Sequence, residues 1–386
     1  MKGSAGAGMF LHPCDAFLAY REGKTYITRL KQQETIVEND AEKKLNWKKW
    51  AIQAFKLILA GALICWVARG IDFAHLNQIA SGRILVFTAL AGAAIGIQLI
   101  LCAVRWRILL RIQQIEISFP RALSLSMQGT FFSLCMPGGA VGGDVVKAAF
   151  LLKETRQGKR LHGVTSIFID RVIGMLALFF LVAAAVTFAM KTILAFQPEV
   201  KYPVLILYLL CLAGLASGLA LFFQDVIFRI PFAGKCLDFM DRLAKGKIRQ
   251  VLDSVEACRK DPGRLFAAFL LSVLVMHPLL VAGLVLIVTG ITETTAHAGG
   301  TVLASLLGGT AAAIPVTPGG LGTRDKITQM VLEAQGIDST AAGFAALLYT
   351  LALVLVSMTG VFFFLFDSWI RKNGNISENK SSKESK

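Results

Sequence analysis

Two stretches of this chain carry the same residue pattern. The first is Pro137-Gly138-Gly139-Ala140-Val141-Gly142-Gly143-Asp144, and the second is Pro318-Gly319-Gly320-Leu321-Gly322-Thr323-Arg324-Asp325. In each, Pro-Gly-Gly follows an apolar run, further Gly comes after, and an Asp stands seven residues past the Pro. They lie about half a chain apart. Proline removes a backbone donor and clashes with the preceding turn, while glycine frees the backbone, so each pattern stops a helix. In an apolar chain such a break is tolerated only where protein or a water-filled cavity satisfies the loosened backbone. A matched pair of breaks, one per half, points to a substrate site between two repeats.

The charges beside these breaks suit an anion. Asp144 and Lys147 are three residues apart on the helix that should follow the first break, close enough to pair. Arg324, Asp325 and Lys326 occupy the matching place in the second half. Intramembrane charges are costly and face a cavity or a partner. A half-helix N-terminus adds partial positive charge suited to an anionic group. Together they outline two candidate sites for a phosphate-bearing headgroup, one near each leaflet. The alternative is that these are solvated interfacial charges. Asp170 and Arg171 extend the set. Arg171 lies eight residues into an apolar run, about 12 Å deep at the helical rise. It needs a counter-charge, for which Asp170, Asp144 or a lipid phosphate are the options.

Other chemistries find little footing. Gly139, Gly142 and Gly143 lack the Lys-Ser/Thr string or the strand context of a nucleotide loop. The seven Cys are scattered without a C-x-x-C and read as small core residues. His12, His75, His162 and His297 have no ligand-like spacing, so no metal and no cofactor is expected. Gln98 and Gln128 are of the type that bonds between helices. His277-Pro278 should kink its helix. No nucleophile–base arrangement is visible, so the chain is not expected to be an enzyme.

The elements that must position these residues follow from composition. The 386 residues are 55% hydrophobic and 17% charged, against about 25% charged in soluble domains. The chain is an all-α polytopic membrane protein. Six runs are long enough to span, at about 20 apolar residues each: 50–69, 84–104, 163–190, 203–224, 265–290 and 340–366. Two more, 122–152 and 300–336, are broken at Pro-Gly-Gly and should be re-entrant. The net charge of +15 sits between the runs, where Lys and Arg set orientation and meet anionic lipid, so nucleic acid is not an expected partner.

Lys43, Lys44, Lys48 and Lys49 place the N-terminus in the cytosol, and Arg105, Arg107, Arg111 and Arg121 mark a cytosolic loop. The basic stretch 225–264 should form an amphipathic helix at the membrane surface. The first broken segment then dips in from the cytosol and the second from outside, which makes an inverted-topology repeat with halves of about 48–200 and 201–370. Residues 1–47 read as a disordered cytosolic extension without a cleaved signal, and 371–386 as a disordered cytosolic tail.

Three stretches carry a family resemblance: GTFFSLCMPGGAVGGDVVKAAFL (129–151), SIFIDRVIG (166–174) and IPVTPGGLGTRDKITQMVLEAQGI (314–337). In this order they resemble the membrane region of lysylphosphatidylglycerol synthases, the flippase-like domain family, over roughly 50–370. In the full-length synthases this domain is thought to move aminoacylated lipid across the bilayer while a soluble domain makes it. The resemblance implies an inner-membrane lipid translocase here, handling an anionic or aminoacylated phospholipid without aminoacyl transfer. The family generally has Glu where Asp170 precedes Arg171, and often an Arg where Tyr349-Thr350 stand. The same architecture would serve a secondary transporter of a small anion. A membrane partner of a lipid or cell-envelope synthase is a further possibility.

Overall fold

The structure, a computed structural model, describes residues 81–136, 139–155, 157–222, 255–256, 258–314, 320 and 322–367. The expected first span, the N-terminal extension, the C-terminal tail and most of the 225–264 stretch lie outside these residues. So do Pro137, Gly138, Pro318 and Gly319. Every described element is helical.

Helix α1, Gly82–Ile112, begins where the Ser81 hydroxyl accepts the Ile84 amide. Its 31 residues run eight beyond the expected end at 104. Arg105, Arg107 and Arg111 are therefore helical, and the loop assigned to them begins only after Ile112. Hydropathy ended the span where the first Arg appeared, yet Arg105 is buried and paired.

Helices α2 (Phe119–Cys135) and α3 (Ala140–Leu152) replace the first broken segment. Helix α4 spans Arg160–Phe188, a short α5 covers Met190–Leu194, and α6 runs Pro198–Phe222. Next comes a continuous rod made of α7 (Pro262–Leu271), a π-helical turn (Ser272–Met276) and α8 (His277–Thr292). Here His277 N–H reaches back five residues to the Ser272 carbonyl. Pro278 cannot donate to the preceding turn, and a local π adjustment is one way a helix absorbs that loss. The second broken segment is α9 (Ala298–Ala313) and α10 (Thr323–Ala334), followed by α11 (Ser339–Met358) and α12 (Gly360–Leu365).

Five of these rods are long and apolar enough to cross a bilayer: Gly82–Ile112, Arg160–Phe188, Pro198–Ala220, Pro262–Thr292 and Ser339–Leu365. They match the five expected spans that fall among the described residues. The four helices of the broken segments hold 12 to 17 residues, about 18–26 Å, short of a hydrocarbon core of about 30 Å.

Each broken segment folds as an antiparallel hairpin. In the first, Gly143 of α3 lies against Gly129 and Ser133 of α2 so closely that a Cβ would come within 2.2 Å of the Gly129 carbonyl oxygen. In the second, a Cβ on Gly308 of α9 would lie 2.2 Å from Thr328 Oγ1 of α10. The returning helices begin three residues past Pro137 and five past Pro318, each capped by a glycine with positive φ: Gly139 at 54° before α3 and Gly322 at 83° before α10. A side chain there would meet the strain of the left-handed region.

Helix α1 packs against α8, α11, α2 and α4, and α9 joins α4, α8 and α10. Their facing side chains form the main core, which includes Ala91, Ile95, Leu284, Leu307, Leu332 and Ala345. Phe168, Phe180, Leu209 and Leu274 instead point outward, as on a lipid-facing surface.

A cationic cavity between two hairpin tips

Two adjoining cavities of about 300 Å³ each open inside this bundle, and Arg105, Arg171 and Arg324 border both. One is lined by Gly139 and Ala140 from the first hairpin tip and by Ala312, Ala313 and Gly320 from the second. Gly139 and Gly320, one from each sequence break, thus face a common space. Asp144, Lys147, Asp170 and Arg171 of the first half and Arg324 of the second border that one space.

Arg105, on α1, is the deepest of these charges. Its Nε donates to Asp170 Oδ1 at 2.8 Å and an NH1 donates to Ser272 Oγ at 2.9 Å. The guanidinium passes over Gly174, where a Cβ would lie 3.0 Å from it. The π turn supplies Ser272, so the distortion in the α7–α8 rod has a direct part in the site. One turn on, His277 Nε2 lies 3.1 Å from the Gly174 carbonyl and borders the other cavity.

Asp144 and Lys147 do not pair with one another as their spacing suggested. Asp144 accepts both Nε (3.0 Å) and NH2 (2.8 Å) of Arg171, a two-pronged bond between α3 and α4. Lys147 is buried, with Nζ 3.6 Å from the centre of the Trp106 ring. That ring face attracts an ammonium that has left water. Trp106 is itself fixed by its indole N–H donating to Ser166 Oγ at 3.2 Å. Of the three counter-charges open to Arg171, the structure selects Asp144, while Asp170 belongs to Arg105.

The second half is built differently. Arg324 is buried and donates through NH2 to Thr350 Oγ1 at 2.7 Å, with its guanidinium carbon 5.7 Å from the centre of the Tyr349 ring. Thr350 Oγ1 in turn donates a hydrogen bond to Asp325 Oδ1. Asp325 Oδ2 accepts the Gly322 amide at 2.9 Å, closing the cap of α10. Tyr349 Oη donates to the Leu280 carbonyl at 3.1 Å, tying α11 to α8. The pair Tyr349-Thr350 therefore holds the second-half cation in place. Arg324 Nε is buried without a hydrogen bond, 3.5 Å from Asp325.

Not all candidate residues reach the cavity. Lys326 is exposed and lines neither space. Gly142 and Gly143 are buried, with Gly143 spent on the α2–α3 contact. Gly322 serves the cap, while Gly139 and Gly320 do border the cavity. Conversely, sequence reasoning missed Arg105, Trp106, Ser272 and Thr350 as site residues. Gln98 borders both spaces and bonds Cys102 Sγ at 3.2 Å. Gln128 works elsewhere, donating to Ser124 Oγ at 2.9 Å and Asp367 Oδ1 at 3.0 Å. Asp367 also accepts from Arg121 at 2.5 Å, and Arg121 forks onto Glu154, which ties the base of the first hairpin to the residue just past α12.

Among the described residues, four Lys and Arg side chains (105, 147, 171 and 324) line the cavities against two carboxylates, Asp144 and Asp170. The surplus is positive and is enclosed by apolar helices.

Helices long enough to span a bilayer, together with paired hairpins bordering a cavity lined by cations, define a polytopic membrane protein. The chain belongs to the family described as the lysylphosphatidylglycerol synthase TM region, whose model matches residues 53–360. No curated protein and no solved structure matches it.

Proposed function

We propose that the protein is a lipid translocase that moves an anionic or aminoacylated phospholipid between leaflets, without covalent chemistry of its own. The observation that carries this reading is the surplus of cations around a cavity shared by both hairpin tips. A phosphate-bearing headgroup could sit there while its acyl chains stay among the apolar helices. The two hairpins, each opening on a glycine of positive φ, support reading the fold as an inverted-topology repeat. In that arrangement the termini face the cytosol, the protein resides in the inner membrane, and access alternates between the two tips. Residues 1–47 and 371–386 are then cytosolic appendages to a domain of about 48–370. Nothing in the sequence resembles an ATP site, so a gradient or mass action supplies the driving force. A lipid or cell-envelope synthase is the natural partner of such a translocase.

The test is transport itself. In reconstituted vesicles, Arg171→Ala and Arg324→Ala should each slow exchange of labelled phospholipid between leaflets, and unchanged rates would discard the assignment. A cavity of about 300 Å³ would also hold a small free anion, which favours the second reading, a secondary anion transporter. Mass spectrometry of lipid retained by the purified protein separates the two.

A further inference from the structure

The four cations around the cavities are not equally committed. Arg105 is bonded to Asp170 and Ser272 with 8% of its side chain exposed. Lys147 is buried over Trp106, and Arg324 is buried against Thr350 and Tyr349. Arg171 is different: 46% of its side chain is exposed, and its partner Asp144 keeps 26%. Both border the cavity that the two hairpin tips share.

Their bond has the form that an anionic ligand would take. A guanidinium presents parallel N–H donors to two oxygens of a carboxylate, and offers the same fork to a phosphate or phosphodiester. Asp144 therefore stands where the oxyanion of a ligand would stand. A partly exposed ion pair is also weak enough to be exchanged.

We infer that Asp144 is a built-in competitor for the ligand: an entering phosphate oxyanion displaces it from Arg171, and this displacement unfastens α3 from α4. The inference rests on the reading of the cavity as a headgroup chamber, and adds how occupancy of the chamber is communicated to one hairpin. Asp144 belongs to α3 and Arg171 to α4, so their bond is a fastening between the first hairpin and the bundle. Among the described residues, the second hairpin shows no such exchangeable fastening. Its carboxylate, Asp325, is held by the Thr350 hydroxyl and the Gly322 amide, neither of which an anion would take from it by charge. Its approach to Arg324 Nε is 3.5 Å, without a hydrogen bond. The Asp170–Arg105 pair is too deeply enclosed to trade partners. Of the two hairpins, the first is thus the one that responds to the ligand.

Calorimetric titration of the full-length protein in detergent with dihexanoylphosphatidylglycerol tests this. Asp144→Asn should bind roughly fivefold tighter than wild type, the weight of a partly exposed ion pair, and Arg171→Gln should bind more weakly than either. Equal or weaker binding by Asp144→Asn overturns the competitor role while leaving the headgroup chamber intact. No binding by any of the three proteins removes the chamber reading and the competitor with it. A parallel titration with sodium phosphate distinguishes a lipid headgroup from a free anion, and the Asn variant should gain in whichever arm binds.

A measurement on wild type covers the case of an Asn variant that does not fold. With the short-chain lipid present, a water-soluble carbodiimide should label Asp144 several-fold faster relative to Asp325, as read by peptide mass spectrometry. Unchanged or slower labelling of Asp144 overturns the proposal.

Discussion

Arg105 and Asp170 meet at 2.8 Å across 65 positions of sequence, and each is the counter-charge of the other inside the bundle. Removing one partner of a buried pair leaves a charge without compensation, at about 3–5 kcal/mol. Asp170→Asn should therefore unfold well below wild type in detergent, by an amount equivalent to several kcal/mol. The double change Arg105→Met with Asp170→Leu should recover most of that stability while transport stays low. If Asp170→Asn melts like wild type, the pair has no structural weight.

The close approaches at glycine should be graded by what a methyl group would meet. At Gly143 it would lie 2.0 Å from Ser133 Oγ and 2.2 Å from the Gly129 carbonyl, and the latter is backbone that cannot rotate away. Gly143→Ala should cost about 1–3 kcal/mol or more, and Ser133→Ala should not rescue it. At Gly174 the neighbour is the Arg105 guanidinium at 3.0 Å, so Gly174→Ala should cost less but disturb transport. Gly309→Ala meets only Leu178 at 3.8 Å and should be neutral or stabilising by about 0.5–1 kcal/mol through helix propensity. Melting temperatures in that order check the series.

Thr350 accepts from Arg324 and donates to Asp325. Thr350→Val keeps the shape and deletes both bonds, leaving Arg324 less satisfied, at about 1–3 kcal/mol. Thr350→Ser should restore most of the loss. Equal transport by Val and wild type would mean that the hydroxyl does not position Arg324.

Outside the spans, the hydrogen bond from Arg83 holds the Glu293 carboxyl below its ordinary range. A depressed acid contributes stability above its unfolded value, near about 4.3, and loses it as pH falls through the lower folded value. The contact is exposed to solvent, so the effect should be small. Glu293→Gln should flatten the decline in melting temperature of wild type below about pH 4, and a decline of the same slope in both would place its origin elsewhere.

The sequence made the spans and the breaks legible, because a run of about 20 apolar residues and a Pro-Gly-Gly interruption are local signals. Its errors were of another kind. Arg105 and Arg107 ended the span of α1 on paper because hydropathy cannot distinguish an Arg in water from one bonded to an Asp on another helix. Lys147 over Trp106 and Thr350 beneath Arg324 are likewise long-range encounters with no local trace. The pairing of Asp144 was misread for the same reason: spacing put Lys147 within reach, but the tertiary fold brought Arg171 closer to its fork. Pro278 announced a distortion, though not that the turn before it would widen and offer Ser272 to Arg105.

That widened turn has a consequence for tolerated length changes. A five-residue hydrogen-bonded loop holds one residue more than the regular turn it replaces. Deleting a single residue between 273 and 276 would let the rod tighten to ordinary geometry with its two flanks still in phase. The same deletion anywhere else along Pro262–Thr292 would rotate every later side chain by about 100°. The rod thus contains one place where the gene could lose a codon and keep a straight helix, and the loss would fall on the grip around Arg105.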